Sequence, residues 1–166
     1  MKTVIALGSN LGDREDNLAG GLRELAALGA VTPSPLVMET PDECGIGPDY
    51  LNTVALLEAS VDDPRMLLEE LLRIELRLGR DRTSGRNAPR TLDLDLILVK
   101  GWGGCWRWAA PADLESIGPE LELELPHPRA MGRSFVMEPL KAFPRGYLAG
   151  LPILSSMSES GTPDAW

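Results

Sequence analysis

Two aspartates alternate with leucines in the run Thr91-Leu92-Asp93-Leu94-Asp95-Leu96-Ile97-Leu98. Side chains of a strand alternate faces at a rise of about 3.3 Å per residue, so Asp93 and Asp95 share a face, roughly 7 Å apart at the backbone. Paired carboxylates on a buried strand repel each other and are costly to desolvate, and cations between them relieve both costs. Hard oxygen ligands of this kind suit magnesium. Two such ions, about 3.5 to 4 Å apart, can clamp the attacking and leaving oxygens of a phosphoryl transfer. A solvated strand face bearing two acids has the same spacing, so the aspartates alone leave both readings open.

The segment before them weighs the choice. Arg80, Arg82, Arg86 and Arg90 lie in a stretch with almost no apolar content, which cannot pack as core. With Arg73 and Arg77 just upstream, six of the thirteen arginines of the chain fall within eighteen residues. Guanidinium forks match phosphate oxygens bidentately and stay charged, so arginines beside a divalent-metal site suit a polyphosphate. Pairing with the aspartates themselves is the plainer role, but it leaves too many arginines over. The joint pattern favours a magnesium-polyphosphate site.

The elements that must carry these residues are legible in outline. A β-rich run at 3–7 ends in Gly8-Ser9-Asn10-Leu11-Gly12-Asp13, turn chemistry leading into a helix. Asp13 is suited to cap that helix, and Leu18, Leu22, Leu25 and Leu28 recur at helical spacing up to Gly29. Residues 31–40 read as extended but are broken by Pro33 and Pro35, which belong on an edge strand. A loop rich in Pro, Gly and acid spans 41–49, and 50–58 is a further strand. Asp63-Pro64 starts a second helix whose Leu67, Leu71, Ile74 and Leu78 form one stripe, with Glu69 and Arg73 placed for an i,i+4 pair and Gly79 as its stop. The strand at 91–99 follows. This order is the βαββαβ pattern of a ferredoxin-like α+β sandwich, mainly antiparallel, with helices on the face toward which Leu92, Leu94, Leu96 and Leu98 point. An extended hairpin and helix region is expected after it.

Composition bounds the rest. A chain of 166 residues is a usual size for one domain, expected here over 1–154 with a frayed polar tail at 155–166. Two cysteines, Cys44 and Cys105, and a single histidine, His127, assemble neither a disulfide framework nor an ordinary zinc site. The N-terminal apolar run is too short for a signal-peptide core and nothing reaches bilayer-spanning length, so a cytoplasmic protein without membrane contact is expected. The net charge of −9 disfavours nucleic acid as a partner.

The string Arg80-x-Arg82-x-x-x-Arg86-x-x-Pro89-Arg90-Thr91-Leu92-Asp93-Leu94-Asp95 resembles the signature of the 6-hydroxymethyl-7,8-dihydropterin pyrophosphokinases. These folate-pathway enzymes transfer pyrophosphate from ATP to the pterin hydroxymethyl group. Gly8-Ser9-Asn10-Leu11-Gly12, Thr40-Pro41, Pro48-Asp49-Tyr50-Leu51-Asn52, Pro126-His127-Pro128-Arg129 and Arg133-Ser134-Phe135-Val136-Met137 resemble other family landmarks in the same order. The resemblance covers most of residues 1–143. It implies Asp93 and Asp95 as ligands of two magnesium ions, and Arg80 and Arg90 as catalytic grips on the phosphates. It further implies Glu75, Arg82, Arg86, His127 and Arg133 at the ATP site. Thr40 and Pro41 belong to the implied pterin-binding segments, with Tyr50 and Phe135 across the pocket from each other and Asn52 reading the pterin edge. The implied reaction is in-line attack on the β-phosphorus with AMP leaving, the two metals and the arginines carrying the developing charge, in a monomer.

Two features depart from the family pattern. Asn87 stands in the arginine loop where some members carry tryptophan, so one stacking contact is expected to be missing. The segment 100–118 reads as an atypical insertion, and its Trp102, Trp106 and Trp108 suit either a partner surface or a long hairpin packed back on the body. RNA binding and a catalytically dead ligand sensor are the alternatives of other classes. The paired aspartates argue against the first, and the retention of both aspartates and the arginines argues against the second.

Overall fold

The computed structural model describes residues 1–42, 45, 47–80 and 89–151. Expectations for Arg82, Arg86, Asn87, Cys44 and the tail from residue 155 fall outside that set. Strand β1 (Lys2–Ser9) lies at the sheet centre, where its burial on both faces suits its apolar run. It pairs antiparallel with β4 (Tyr50–Ala59) on one side and β5 (Asp93–Val99) on the other. The far edge of β4 takes both β2 (Gly29–Pro33) and β3 (Met38–Thr40). The result is a five-stranded antiparallel sheet within an α+β ferredoxin-like fold.

The extended run expected over 31–40 is two short strands, because Pro33 and Pro35 lack the N–H that a continuous ladder requires. Between them the Ser34 hydroxyl donates to the Pro139 carbonyl (2.6 Å) and accepts from the Leu36 amide (3.1 Å). Helix α1 (Arg14–Ala26) is capped by the Asp13 carboxylate, which accepts from the Asp16 amide at 2.9 Å. Leu28, the last residue of the expected stripe, lies beyond the helix end and still packs against the core. Helix α2 (Pro64–Arg77) starts at the Asp63 cap, and Gly79, at φ 85°, turns the chain out of it toward Arg80. Glu69 and Arg73 form the expected pair at 3.6 Å.

The two helices bury Leu25, Leu67, Leu71 and Ile74 against Ile5, Leu7, Leu57, Leu92, Leu94 and Leu96 of the sheet side. Leu98 departs from the expected stripe. Val4 pairs with Leu98 but Ile5 pairs with Leu96, so Ile97 is an extra residue in β5 and the alternation slips there. Ile97 and Leu98 therefore pack on the opposite face with Val4, Ala6, Val54 and Leu56, beneath helix α3 (Ser134–Lys141) and its Val136, Met137 and Leu140. That second face is the one to which Asp93 and Asp95 belong.

The tryptophan-rich segment forms a hairpin of β6 (Gly104–Ala109) and β7 (Glu120–Leu125). Trp106 and Trp108 pack back on the body, while Trp102 stays partly exposed with its ring edge-on to Trp106 at 6.0 Å. In β7 the leucines 121, 123 and 125 are buried and the glutamates 120, 122 and 124 exposed, the clean alternation of a one-sided strand.

The seat of the aspartate strand depends on a bare position in α1. A Cβ at Gly21 would stand 3.0 Å and 3.1 Å from the two Leu92 methyls and 3.3 Å from Leu7, whereas one at Gly20 would meet nothing closer than 3.6 Å. Gly20→Ala is expected to stabilise by about 0.5–1 kcal/mol through helix propensity, and Gly21→Ala to destabilise by about 1–2 kcal/mol through overpacking. Urea unfolding of the two variants checks the contrast.

Candidate functional site

Among the described residues, Asp93, Asp95, Asn52 and Phe135 come together on the α3 face at one end of the sheet. Asp93 lies opposite Gly8 and Asp95 opposite Ala6, and on the other side of β1, Gly8 lies opposite Asn52. A single row across three strands thus runs Asn52, Gly8, Asp93. The missing side chain in the middle is what opens it. A Cβ on Gly8 would stand 3.0 Å from the Asn52 Oδ1 and 3.6 Å from the Tyr50 ring.

Asp93 is the electrostatic centre. Arg80 donates to its Oδ1, and the Arg90 Nη1 donates to its Oδ2 at 2.7 Å. The same Arg80 Nη1 lies 2.6 Å from Glu75 Oε1, which also accepts from the Leu94 amide at 2.7 Å. Glu75 is buried to 1 % exposure. It is thus neither a surface acid nor open to a ligand on all sides. It braces Arg80 and satisfies an amide on the open edge of β5. Burial pushes the Asp93 carboxyl up, but the adjacent charges and hydrogen bonds of Arg80 and Arg90 outweigh it and hold the group below its ordinary range. Pairing of arginines with an aspartate is therefore real here, and it involves the two arginines that flank the strand.

Asp95 is in the opposite condition. Burial, and then the charge of Asp93, raise its carboxyl above the ordinary value, against weaker opposing effects of His127, Arg133 and Arg80. Among the described residues, the Arg133 Nη1 pairs with it at 3.9 Å. Among the described residues no cluster of three or more protein ligands exists for a metal. Magnesium keeps waters and substrate phosphates in its shell and commonly takes only one or two carboxylates from the protein, so Asp93 and Asp95 on one face fit it. The raised Asp95 carboxyl, short of positive charge, is what a bound cation would relieve.

Around this centre lies a cleft of about 1170 Å³. Toward β4 it is lined by Thr40, Pro41, Tyr50, Asn52 and Phe135. The Asn52 amide donates to the Thr40 hydroxyl at 2.8 Å, which orients its carbonyl oxygen away from that partner. Burial raises the Tyr50 phenol, with Arg90 opposing and Asp93 reinforcing, so the hydroxyl is a donor at neutral pH. Arg133 lies over the Phe135 ring at 5.3 Å. Beyond β5 the cleft continues between α2 and the hairpin, lined by Leu68, Leu72, Ile117 and Leu123. His127 borders the middle. Its amide donates to the Ile97 carbonyl at 2.7 Å, and its Nδ1 accepts from the Arg129 amide at 3.2 Å.

Residues 4–144 match the family described as 7,8-dihydro-6-hydroxymethylpterin-pyrophosphokinase. The chain belongs to this family. Its relatives include 2-amino-4-hydroxy-6-hydroxymethyldihydropteridine pyrophosphokinases of Bacillus subtilis and Haemophilus influenzae. They are 38% identical over 140 residues and 37% identical over 139, with 82% of this chain and 74% or 77% of the relative covered. The Synechocystis enzyme of the same name is 35% identical over 140 residues, 82% of this chain, and the match spans 63% of that relative's length.

Against that family frame, two features of this pyrophosphokinase chain escaped sequence reasoning. Arg73 and Arg77, grouped with the phosphate arginines by proximity in sequence, face elsewhere. Arg73 bonds Asp113 at 2.6 Å and Glu70 at 2.8 Å, and Arg77 bonds Glu24 at 2.6 Å. The second is Asn10, only 2 % exposed. Its Oδ1 accepts from the Arg90 amide (2.8 Å), its amide donates to the Arg90 carbonyl (3.1 Å), and its Nδ2 donates to the Pro48 carbonyl (3.2 Å). It ties Arg90 to the segment that leads into Tyr50. An Asn in a glycine-flanked turn was visible, but both partners are remote in sequence.

The two aspartates should respond oppositely to neutralisation. Asp95, with its carboxyl raised in the fold, costs the native state stability as pH rises past the unfolded value of about 3.9. Asp95→Asn is therefore expected to raise Tm at pH 7 without magnesium or nucleotide, with the gain vanishing below about pH 4. Asp93 stabilises above the unfolded carboxylate value and loses that contribution as pH falls through its depressed one. Asp93→Asn is expected to cost on the order of 2 kcal/mol at pH 7, less than the 3–5 of a fully buried pair. Both variants should lose turnover, and calorimetry across pH checks the signs.

Proposed function

We propose that this cleft transfers pyrophosphate from ATP to the hydroxymethyl group of 6-hydroxymethyl-7,8-dihydropterin, with Asp93 and Asp95 holding two magnesium ions. The chain is an ATP-dependent pterin pyrophosphokinase of folate biosynthesis. The observation that carries the site assignment is the placement of Asp93 and Asp95 on one strand face, flanked by Arg80 and Arg90, between two unlike ends of one cleft.

The reaction brings two flat heterocycles to opposite ends of a chain of phosphates, and the cleft offers a place for each part. The end with Tyr50, Phe135 and Asn52 suits the pterin, since two aromatic faces and an amide match a planar ring edged with donors and acceptors. The apolar end at Leu68, Leu72, Ile117 and Leu123 suits the adenine. Arg80, Arg90 and Arg133 lie between, where the polyphosphate must run, and His127 is placed to donate to it. Arg82 and Arg86 join this set on the family resemblance alone.

The hydroxymethyl oxygen forms a bond to the β-phosphorus and gives up its proton to solvent, while the bond from that phosphorus to the oxygen of the α-phosphate breaks and the electron pair leaves with AMP. Bound magnesium would lower the pKa of the attacking hydroxyl and offset charge on the phosphates. Arg80 and Arg90 exchange their bonds to Asp93 for bonds to phosphate oxygens, so the desolvation of these guanidiniums is already met before the substrate arrives. Asn10 keeps Arg90 in register with the pterin side. Orientation of the two substrates supplies much of the acceleration, as in other phosphoryl transfers. The described groups of the site come from one chain, which supports a monomeric enzyme, and its use of ATP supports a cytoplasmic one.

Purified protein given ATP, magnesium and the reduced hydroxymethylpterin should release AMP and pterin diphosphate in equal amounts, with no AMP when the pterin is omitted. A folded protein that binds ATP but releases no AMP would identify a ligand sensor instead.

A further inference from the structure

The tryptophan-bearing hairpin takes no part in the reaction as described, yet it forms one wall of the apolar end of the cleft. Leu72, Leu114 and Leu121 form a small buried cluster where α2 meets the hairpin connection, with Leu68, Ile117 and Trp108 among the partly buried residues around them, while Leu123 and Leu125 hold the other end of β7 in the main core. Leu68 and Trp108 pack against this small cluster and against the main core alike. Leu68, Leu72 and Ile117 belong both to the joint and to the cleft wall, so the spacing of α2 and the hairpin is also the width of that end.

Polar ties span the same joint. The Trp108 indole Nε1 donates to Glu69 Oε1 at 3.0 Å. Arg73 reaches from α2 to Asp113 in the hairpin connection, Nε to Oδ2 at 2.6 Å and Nη2 to Oδ1 at 3.2 Å, while its Nη1 holds Glu70 at 2.8 Å. The forked contact to Asp113 fixes direction as well as distance. Exposed ion pairs of this kind contribute little to global stability. At the connection end of the hairpin, away from the main-core residues Leu123 and Leu125, their consequence is local: they set where that part of the wall stands.

We infer that Trp108–Glu69 and Arg73–Asp113 form a clamp that sets the width of the apolar lobe and so positions the nucleobase of the ATP. This inference rests on the assignment of that lobe to the adenine. It makes Glu69, Arg73, Trp108 and Asp113 positioning residues, since none of them need touch the nucleotide. It also gives the atypical segment a role at the site: the tryptophan at position 108 spends its one N–H on holding the wall, and Arg73 is withheld from the phosphates for the same purpose.

The test uses the full chain carrying Trp108→Phe, Asp113→Ala or both. Trp108→Phe keeps a ring in the joint, and Asp113 is exposed, so folding should survive and thermal unfolding verifies it. Equilibrium binding is measured with magnesium for α,β-methylene ATP and for inorganic tripolyphosphate, which has no base. The double variant is expected to bind the ATP analogue about fivefold or more weakly, while its affinity for tripolyphosphate stays within about twofold of wild type. Equal weakening of both ligands would reduce the contacts to a general structural role, and unchanged affinity for both would remove the clamp; either result overturns the inference. Absence of pterin-dependent AMP release by the wild-type chain would instead overturn the reaction, and the comparison of the two ligands would still read the clamp. A wild-type chain that binds neither overturns both.

Discussion

The site is organised around a carboxylate shared by two guanidiniums. Asp93 gives one oxygen to Arg80 and the other to Arg90, and Arg80 is braced from behind by Glu75, a fully buried acid that also receives the Leu94 amide. Two negative and two positive groups thus balance where the sheet edge, the end of α2 and the start of β5 meet. Each element contributes one condition. The left-handed Gly79 turns Arg80 back toward the strand, and the bare Gly21 lets Leu92 seat so that Asp93 emerges at the right height. Asn10 fixes the backbone of Arg90. Loss of any charged member leaves the others desolvated and unbalanced, which is costly in a partly buried setting.

Asp95, two residues on, shows why one strand can carry two carboxylates of different character. It shares the face of Asp93 but not the company, and its raised carboxyl is a stability cost built into the site. A cation bound there would recover that cost. One aspartate is therefore a structural anchor bonded to two arginines, while the other carries a charge that a bound cation would offset. Phosphoryl transfer needs this mixture: fixed positive groups for the departing phosphates and a site whose affinity for metal comes from uncompensated negative charge.

Much of this was legible in the chain because the signals are local. The alternation of Asp93 and Asp95 with leucines reports a shared face at once, and the Asp13 and Asp63 caps and the Gly79 stop follow from backbone chemistry within one helical turn. What stayed hidden depends on contacts between distant segments. The extra Ile97 in β5 sends Leu98 to the opposite face, and no count of alternating residues reveals a slip in pairing with β1. Glu75 reads as one acid among several on α2, and only the packing of that helix on β5 shows it buried against an arginine. Arg73 looked like part of a basic cluster because it is near in sequence, but 3.6-residue periodicity turns it toward Asp113. The tryptophans were ambiguous for the same reason, since an indole that packs inward and one that faces solvent have the same spelling.

The charge balance around Arg80 is the centre of this account, and Glu75→Gln probes it with a minimal change of shape. Glutamine can still accept from the Leu94 amide but no longer offsets the guanidinium. Steady-state turnover of this variant, with pterin affinity measured alongside, is the most direct test. A fall in kcat of about tenfold or more is expected, equivalent to roughly 1.4 kcal/mol of transition-state stabilisation, with little change in pterin affinity. Wild-type kcat in Glu75→Gln would show that Arg80 and Asp93 do not depend on the buried acid and would contradict the account.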